Sequence, residues 1–131
     1  MTIHYTLILL LAALSSCVDL SEKQLVGPYY VAQDPVGSSK TLFYYAPSEG
    51  PRFDRIYNVC KAGYTPAFIF AESKNGFYFI KRAQDRPSDL GDPEVQKAIS
   101  QPLTQAGFKA FLDSIGAAGF AFQYSAICSS R

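Results

Sequence analysis

The residues able to do chemistry in this sequence are one histidine, three cysteines and a group of carboxylates. The only histidine, His4, lies in an apolar N-terminal segment, so residues 17–131 contain none. This excludes Ser-His-Asp and Cys-His catalytic arrangements and histidine-based zinc sites from that part of the chain. It also contains no Gly-rich loop of the kind that cradles phosphates. The sequence therefore predicts a protein that is not an enzyme and uses no cofactor.

Carboxylates are the remaining candidates, because two of them suffice for glycoside hydrolysis. Glu72 stands alone, whereas Asp85, Asp89, Asp92 and Glu94 share a polar stretch with interleaved arginines. Their spacing does not match an EF-hand calcium loop. We interpret these acids as a solvated, mixed-charge surface with a helix cap, and we expect no metal site. A small hydrolase is the least favoured of the functional alternatives.

The N-terminus carries the most specific pattern in the sequence. Leu7–Leu14 is an apolar run too short to span a bilayer, but of the length found in secretory signals. The segment Leu14-Ser15-Ser16-Cys17 resembles the lipobox of bacterial lipoproteins, in which an aliphatic residue and two small residues precede a cysteine. The resemblance implies that residues 1–16 are a signal peptide and that Cys17 is lipidated with fatty acyl chains, palmitate among them. The alternatives are an ordinary signal cut after Ser15, or a buried N-terminal element of a cytosolic protein.

The count of cysteines is consistent with lipidation. Modification of Cys17 leaves Cys60 and Cys128, which can form a disulfide in an oxidising periplasm. Such a bond would close a long loop and stabilise the fold by about 4 kcal/mol. The alternative is two separate buried thiols, which behave as small hydrophobic groups.

The same resemblance implies a location. In lipoproteins of enteric bacteria, an aspartate directly after the lipidated cysteine retains the protein in the inner membrane. Val18 occupies that position here. In a Gram-negative host this favours the outer membrane, facing the periplasm, with the lipid anchor as the contact with the membrane.

The composition indicates one folded domain that does not bind nucleic acid. Hydrophobic residues make up 48% of the chain, charged residues 18%, and the net charge of +1 is not gathered into a basic cluster. We divide the chain into a signal peptide (1–16), a lipidated tether (17–26) and a single globular domain (27–131). Nine tyrosines and ten phenylalanines favour β-strands in that domain.

Local patterns predict the elements of the domain. Asn75-Gly76 between two aromatic β runs is a strong hairpin signal, and both faces of that hairpin are apolar, so each must be covered. Asp92-Pro93 and Thr104 start two short helices, the second with an apolar stripe. Residues 119–128 alternate as a last strand. We therefore expect an α+β fold: a single antiparallel, curled β-sheet of five to six strands, with two short helices inserted before the last strand.

This domain is similar to small, β-rich bacterial lipoproteins to which no chemistry is assigned. The similarity rests on Tyr78-Phe79-Ile80 and Pro102-Leu103-Thr104. It implies a fold of strands with a short helical insertion, and no catalytic residues.

Tyrosines of the first half are the candidate binding face, because tyrosine offers a large contact area with a polar tip. The alternative is ordinary packing within a sheet. We predict a non-enzymatic protein-binding module that meets another envelope protein, as an immunity, exclusion or accessory-subunit lipoprotein does. The alternative function is a small-molecule or lipid-binding domain. The candidate residues are Tyr29, Tyr30, Tyr44, Tyr45, Tyr57 and Tyr64.

Overall fold

A computed structural model describes residues 22–33, 39–126 and 128. The predicted signal peptide, the lipidation site at Cys17 and the first part of the tether lie outside these residues. Within them, neither helix has the length and apolar character needed to cross a bilayer.

The first sheet contains four antiparallel strands in sequence order. They are β1 (Glu22–Val26), β2 (Tyr29–Gln33), β3 (Lys40–Tyr44) and β4 (Phe53–Ile56). A tight turn joins β1 to β2, and Gly27 at this turn has a positive φ of 52°, a conformation that glycine adopts without steric cost. Residues 22–26, the second half of the expected tether, therefore form a strand of the first sheet.

The second sheet has the strand order β7-β6-β5-β8. Its strands are β5 (Val59–Tyr64), β6 (Phe68–Ser73), β7 (Gly76–Lys81) and β8 (Tyr124–Ser125). β6 and β7 form the predicted hairpin, with Ser73 paired to Gly76 across the turn. The expected last strand over 119–128 is reduced to the two residues of β8.

Two short helices lie between β7 and β8, and their starts are capped as the sequence predicts. Helix α1 (Pro93–Ala98) begins after Asp92, whose carboxylate accepts a hydrogen bond from the Glu94 amide at 2.9 Å. Helix α2 (Gln105–Ser114) begins after Thr104, whose hydroxyl accepts one from the Gly107 amide at 3.0 Å. Side-chain oxygens at this position satisfy amides that have no partner inside the helix.

The two sheets pack face to face, and helix α2 covers the far side of the second. The core between the sheets contains Tyr29 and Leu42 from one side and Ile69 and Ile80 from the other. The opposite face of the β6–β7 hairpin packs against α2 and residues 117–122. Its aromatic members are Phe68, Phe70, Phe77, Phe79, Phe108, Phe111, Phe120 and Phe122. Both apolar faces of the hairpin are thus covered.

The expectation of a single sheet of five to six strands in an α+β fold is wrong. Over the residues that the structure describes, the chain is mostly β, with eight strands in two four-stranded sheets. The reason lies at residues 57–58, where the chain leaves β4 and enters the other sheet at β5. Asn58 has a φ of 56°, a left-handed conformation that asparagine tolerates better than most residues. The spacing of Phe53, Ile56 and Val59 by itself predicts one strand, because it does not register this change of direction.

Candidate functional site

A disulfide joins Cys60 and Cys128, which confirms the predicted pairing. Cys60 lies on β5, and Cys128 follows β8, the neighbouring strand. The two Cα atoms are 5.1 Å apart, within the range usual for disulfides. The Ala126 amide also donates to the Cys60 carbonyl at 2.7 Å, so the C-terminal segment is held to β5 by backbone as well as by sulfur.

The structure distributes the six candidate tyrosines over several places rather than one face. Tyr29 is buried between the sheets, and half-buried Tyr44 meets it edge to face with ring centroids 5.5 Å apart. The rings of Tyr30 and Tyr45 lie next to each other, with centroids 6.1 Å apart, at a surface that Tyr44 also reaches. Tyr57 is 50% exposed at the turn between the sheets. Tyr64, on β5, packs against the core between the two sheets.

A buried ion pair lies next to Tyr29. Arg55 Nε contacts both carboxylate oxygens of Asp85, at 3.1 and 3.0 Å, and both side chains are fully buried. The Tyr29 hydroxyl donates to the same carboxylate at 2.8 Å. Burial, and then the charge of Asp85, raise the pKa of Tyr29 far above its ordinary value of 10.0, so this phenol stays neutral. The Arg86 amide donates to Asp85 at 3.0 Å as well, and the carboxylate is therefore engaged from several sides.

The ion pair continues into a network that holds the loop before α1. Arg55 Nη2 donates to the Arg86 carbonyl at 2.8 Å. The Arg86 guanidinium in turn makes two hydrogen bonds to Asp92, at 2.7 and 2.9 Å. The Glu94 amide and then Arg86 lower the pKa of Asp92. The chain of contacts thus connects β4 to the cap of α1, and it positions the loop rather than offering a free acid or base.

Sequence reasoning missed Arg55, and it wrongly placed Asp85 on a solvated surface, because the Asp85 side chain is fully buried. Arg55 stands in a short, partly apolar strand, and the acids around Asp85 have the composition of a solvated loop. Nothing local connects two residues that are thirty positions apart. Among the described residues, no group of three or more histidines, cysteines or acids is placed to hold a metal ion.

An open cleft lies beside this network. It has a volume of about 510 Å³ between β4 and residues 89–91, and a smaller cavity of about 160 Å³ adjoins it at Tyr57 and Leu90. The Tyr57 hydroxyl donates to Asp54 at 3.1 Å, which fixes the ring at the rim of the cleft. The ring of Tyr57 is therefore fixed in the cleft, between charged side chains of both signs. Its lining residues are Arg52, Phe53, Asp54, Tyr57, Asp89, Leu90 and Gly91.

A second open concavity, of about 380 Å³, lies at the end of the first sheet. Tyr30 and Tyr45 contribute to it, together with residues of the β1–β2 turn and of the loop after β3. The structure thus brings three of the six candidate tyrosines, 30, 44 and 45, to one surface feature. Comparison with protein-family models, with characterised proteins and with solved structures found no match to this chain.

Proposed function

We propose that this protein is a lipoprotein of the bacterial cell envelope, anchored through Cys17, that acts as a non-enzymatic protein-binding module. The observation that carries the proposal is the Cys60–Cys128 disulfide. Disulfides persist in oxidising compartments such as the periplasm and are rare in the cytosol. The bond also leaves Cys17 as the one remaining cysteine, and that residue ends the lipobox-like segment.

The tether supports a location close to the membrane. Strand β1 begins at Glu22, only five positions after Cys17. A fully extended chain of that length reaches roughly 17 Å. Several acyl chains hold a protein stably on a bilayer, whereas one chain gives marginal binding. We propose the outer membrane, facing the periplasm, since Val18 follows the cysteine.

The packing favours protein binding over the enclosure of a small molecule. A ligand-binding domain of this composition would use its aromatic rings to line an interior space. Instead, rings of the second sheet stack on rings of α2, with centroids 4.0 Å apart for Phe79 and Phe111 and 4.7 Å for Phe77 and Phe108. These aromatics fill a core. The tyrosines at the two open surfaces are the groups left for contact with a partner, as in immunity, exclusion or accessory-subunit lipoproteins.

Photo-crosslinking in intact cells tests this proposal. A photoreactive phenylalanine replaces Tyr45 or Tyr57 at these two surfaces, and Lys97, exposed on α1 and part of neither surface, serves as the matched control position. We expect a discrete protein adduct in the membrane fraction from one of the tyrosine positions and none from position 97. The adduct should weaken or disappear when Cys17→Ser is added, because the module then lacks its lipid anchor. A soluble wild-type protein without protein adducts would overturn the proposal.

A further inference from the structure

The concavity at the end of the first sheet, here called the tyrosine groove, has a rigid frame. Its lining residues are Gly27, Pro28, Tyr30, Tyr44, Tyr45, Ala46, Pro47, Ser48 and Glu49. The Tyr45 amide donates to the Pro28 carbonyl at 2.7 Å, and the Glu49 amide donates to the Ala46 carbonyl at 2.8 Å. The Gln24 side chain donates to the Gly27 carbonyl at 2.9 Å. Both loops that form the groove are therefore held by hydrogen bonds.

The groove contains polar groups that make no hydrogen bond or ion pair with the described part of the chain. The Tyr30 ring stacks on Phe43 at 5.5 Å with an interplanar angle of 12°, and Tyr45 meets its edge. Neither the Tyr30 nor the Tyr45 hydroxyl hydrogen-bonds to a described residue, and the exposed Glu49 forms no ion pair with one. The Glu49 charge reaches the groove, since it contributes, after burial, to the raised pKa of Tyr44. The groove thus offers aromatic faces, hydroxyl donors and the exposed carboxylate of Glu49 at one loop, with the Arg82 guanidinium close to Gly27 at the other.

The position of the groove relative to the anchor adds a second constraint. Strand β1 leaves the tether at Glu22 and reaches the groove at the Gly27 turn. Its five residues rise by about 3.3 Å each, so the groove lies at the end of β1 opposite to the tether, more than 10 Å away. The chain toward Cys17 therefore leaves the first sheet at the end opposite to the groove.

We propose that the tyrosine groove binds an extended, proline-rich segment of the envelope partner, and that this segment carries a basic residue. The inference rests on the proposed function only for the location of that partner in the cell envelope. A polyproline II segment has no internal hydrogen bonds, so its carbonyls need donors, which the hydroxyls of Tyr30 and Tyr45 supply. Aromatic-lined grooves recognise such segments because the stiff chain loses little entropy on binding. A lysine or arginine beside the prolines complements Glu49.

The test is a titration of the full-length, acylated protein in detergent micelles, followed by the NMR signals of the groove amides. The probe is a synthetic hexaproline peptide with one terminal arginine, compared with a Gly-Ser peptide of the same length and charge. We expect saturable shifts in the groove with the proline peptide only. Tyr45→Ala should weaken binding at least tenfold, as expected for a central aromatic contact. Tyr45→Phe, which keeps the ring and its packing, should weaken it by less than Tyr45→Ala.

Charge gives an independent measure of the same site. Glu49→Gln should weaken binding about threefold at low salt, and the difference should vanish at high salt, because exposed ion pairs are weak and screened. Tyr57→Ala, at the other surface, should bind like wild type. Equal binding of the two peptides, shifts outside the groove, or a preference for a chitooligosaccharide over the proline peptide would overturn the inference. If the protein is membrane-bound and forms a cross-link in cells but does not bind the proline peptide, this inference is wrong and the proposed function is unaffected.

Discussion

The Nε atom of Arg55 lies 3.0 Å from the Asp85 carboxylate, and both side chains are fully buried although they are thirty residues apart. One partner comes from β4 and the other from the loop before α1. Taking two charges out of water is costly, and their attraction repays this only where further hydrogen bonds satisfy both groups. Here Tyr29 and the Arg86 backbone supply them. The pair therefore fixes where the loop sits rather than adding much net stability.

Breaking this pair from one side should be strongly destabilising. Asp85→Asn leaves the Arg55 guanidinium buried without its counter-charge, and we expect the free energy of unfolding to fall by about 3–5 kcal/mol. Urea unfolding followed by circular dichroism measures this loss. The matched variant is Arg55→Met combined with Asp85→Leu, which removes both charges and should lose less than Asp85→Asn alone. A loss below about 1 kcal/mol for Asp85→Asn would mean that the charge is solvated and the pair is not buried.

Alkaline pH should destabilise the protein through Tyr29. In the folded state, burial and Asp85 raise its pKa above the ordinary value of 10.0, so the native state keeps the proton while the unfolded state loses it. The contribution of Tyr29 to the free energy of unfolding is therefore fully present below pH 10. Above pH 10 the free energy of unfolding falls by about 1.4 kcal/mol per pH unit for one such group. Tyr29→Phe should be less stable than wild type at pH 7 but should decline less steeply above pH 10. Identical slopes for the two proteins would contradict the assignment to Tyr29.

A single methyl group should disturb the hairpin at Gly76. This residue has a φ of 134°, and an added Cβ would lie 2.7 Å from the Leu103 carbonyl oxygen, a backbone atom that cannot move aside alone. We expect Gly76→Ala to cost about 1–3 kcal/mol from the backbone conformation, plus the effect of the contact. Thermal unfolding measures it. Gly119→Ala is the matched control, because no atom lies within 4 Å of the added Cβ, and it should shift stability by less than about 1 kcal/mol. Equal effects of the two substitutions would contradict this account of the turn.

Loss of the disulfide should destabilise the C-terminal strand first. Cys60→Ser with Cys128→Ser opens a loop whose ends are 68 positions apart, which costs about 4 kcal/mol on the chain-entropy model. Hydrogen exchange should show the amide of Ala126 losing protection before those of β6 and β7, because β8 has only two residues. Wild type treated with a thiol reductant should behave in the same way. Unchanged stability after both treatments would mean that the bond does not constrain the chain.

Local features of this fold were predictable from the sequence because neighbouring residues determine them. Asn75-Gly76 marks the hairpin turn, and Asp92 and Thr104 provide the side chains that cap the helices. The apolar stripe of α2, which includes Phe108 and Leu112, follows the helical period and packs against the aromatic face of the second sheet. Each of these signals lies within a few residues of the structure that it predicts.

The division into two sheets and the buried network were not predictable in this way. The chain passes from β4 in one sheet to β5 in the other through Asn58, a left-handed residue that the hydrophobic pattern does not register. Strand alternation puts Tyr29 and Tyr30 on opposite faces, but it does not say which one faces the core. The buried Tyr29 hydroxyl donates to Asp85, which is distant in the chain and is itself bonded to Arg55, and no local pattern indicates this contact.

The most direct test of the central claim is the intact mass of the protein purified from membranes, for wild type and for Cys17→Ser. We expect a wild-type chain that begins at Cys17, carries the added mass of acyl chains and lacks the two hydrogens lost in the Cys60–Cys128 bond. The variant should keep residues 1–16 or appear in the soluble fraction without acyl mass. A wild-type chain that begins at Met1 or Ser16 and carries no acyl group would contradict the account of a membrane-anchored lipoprotein.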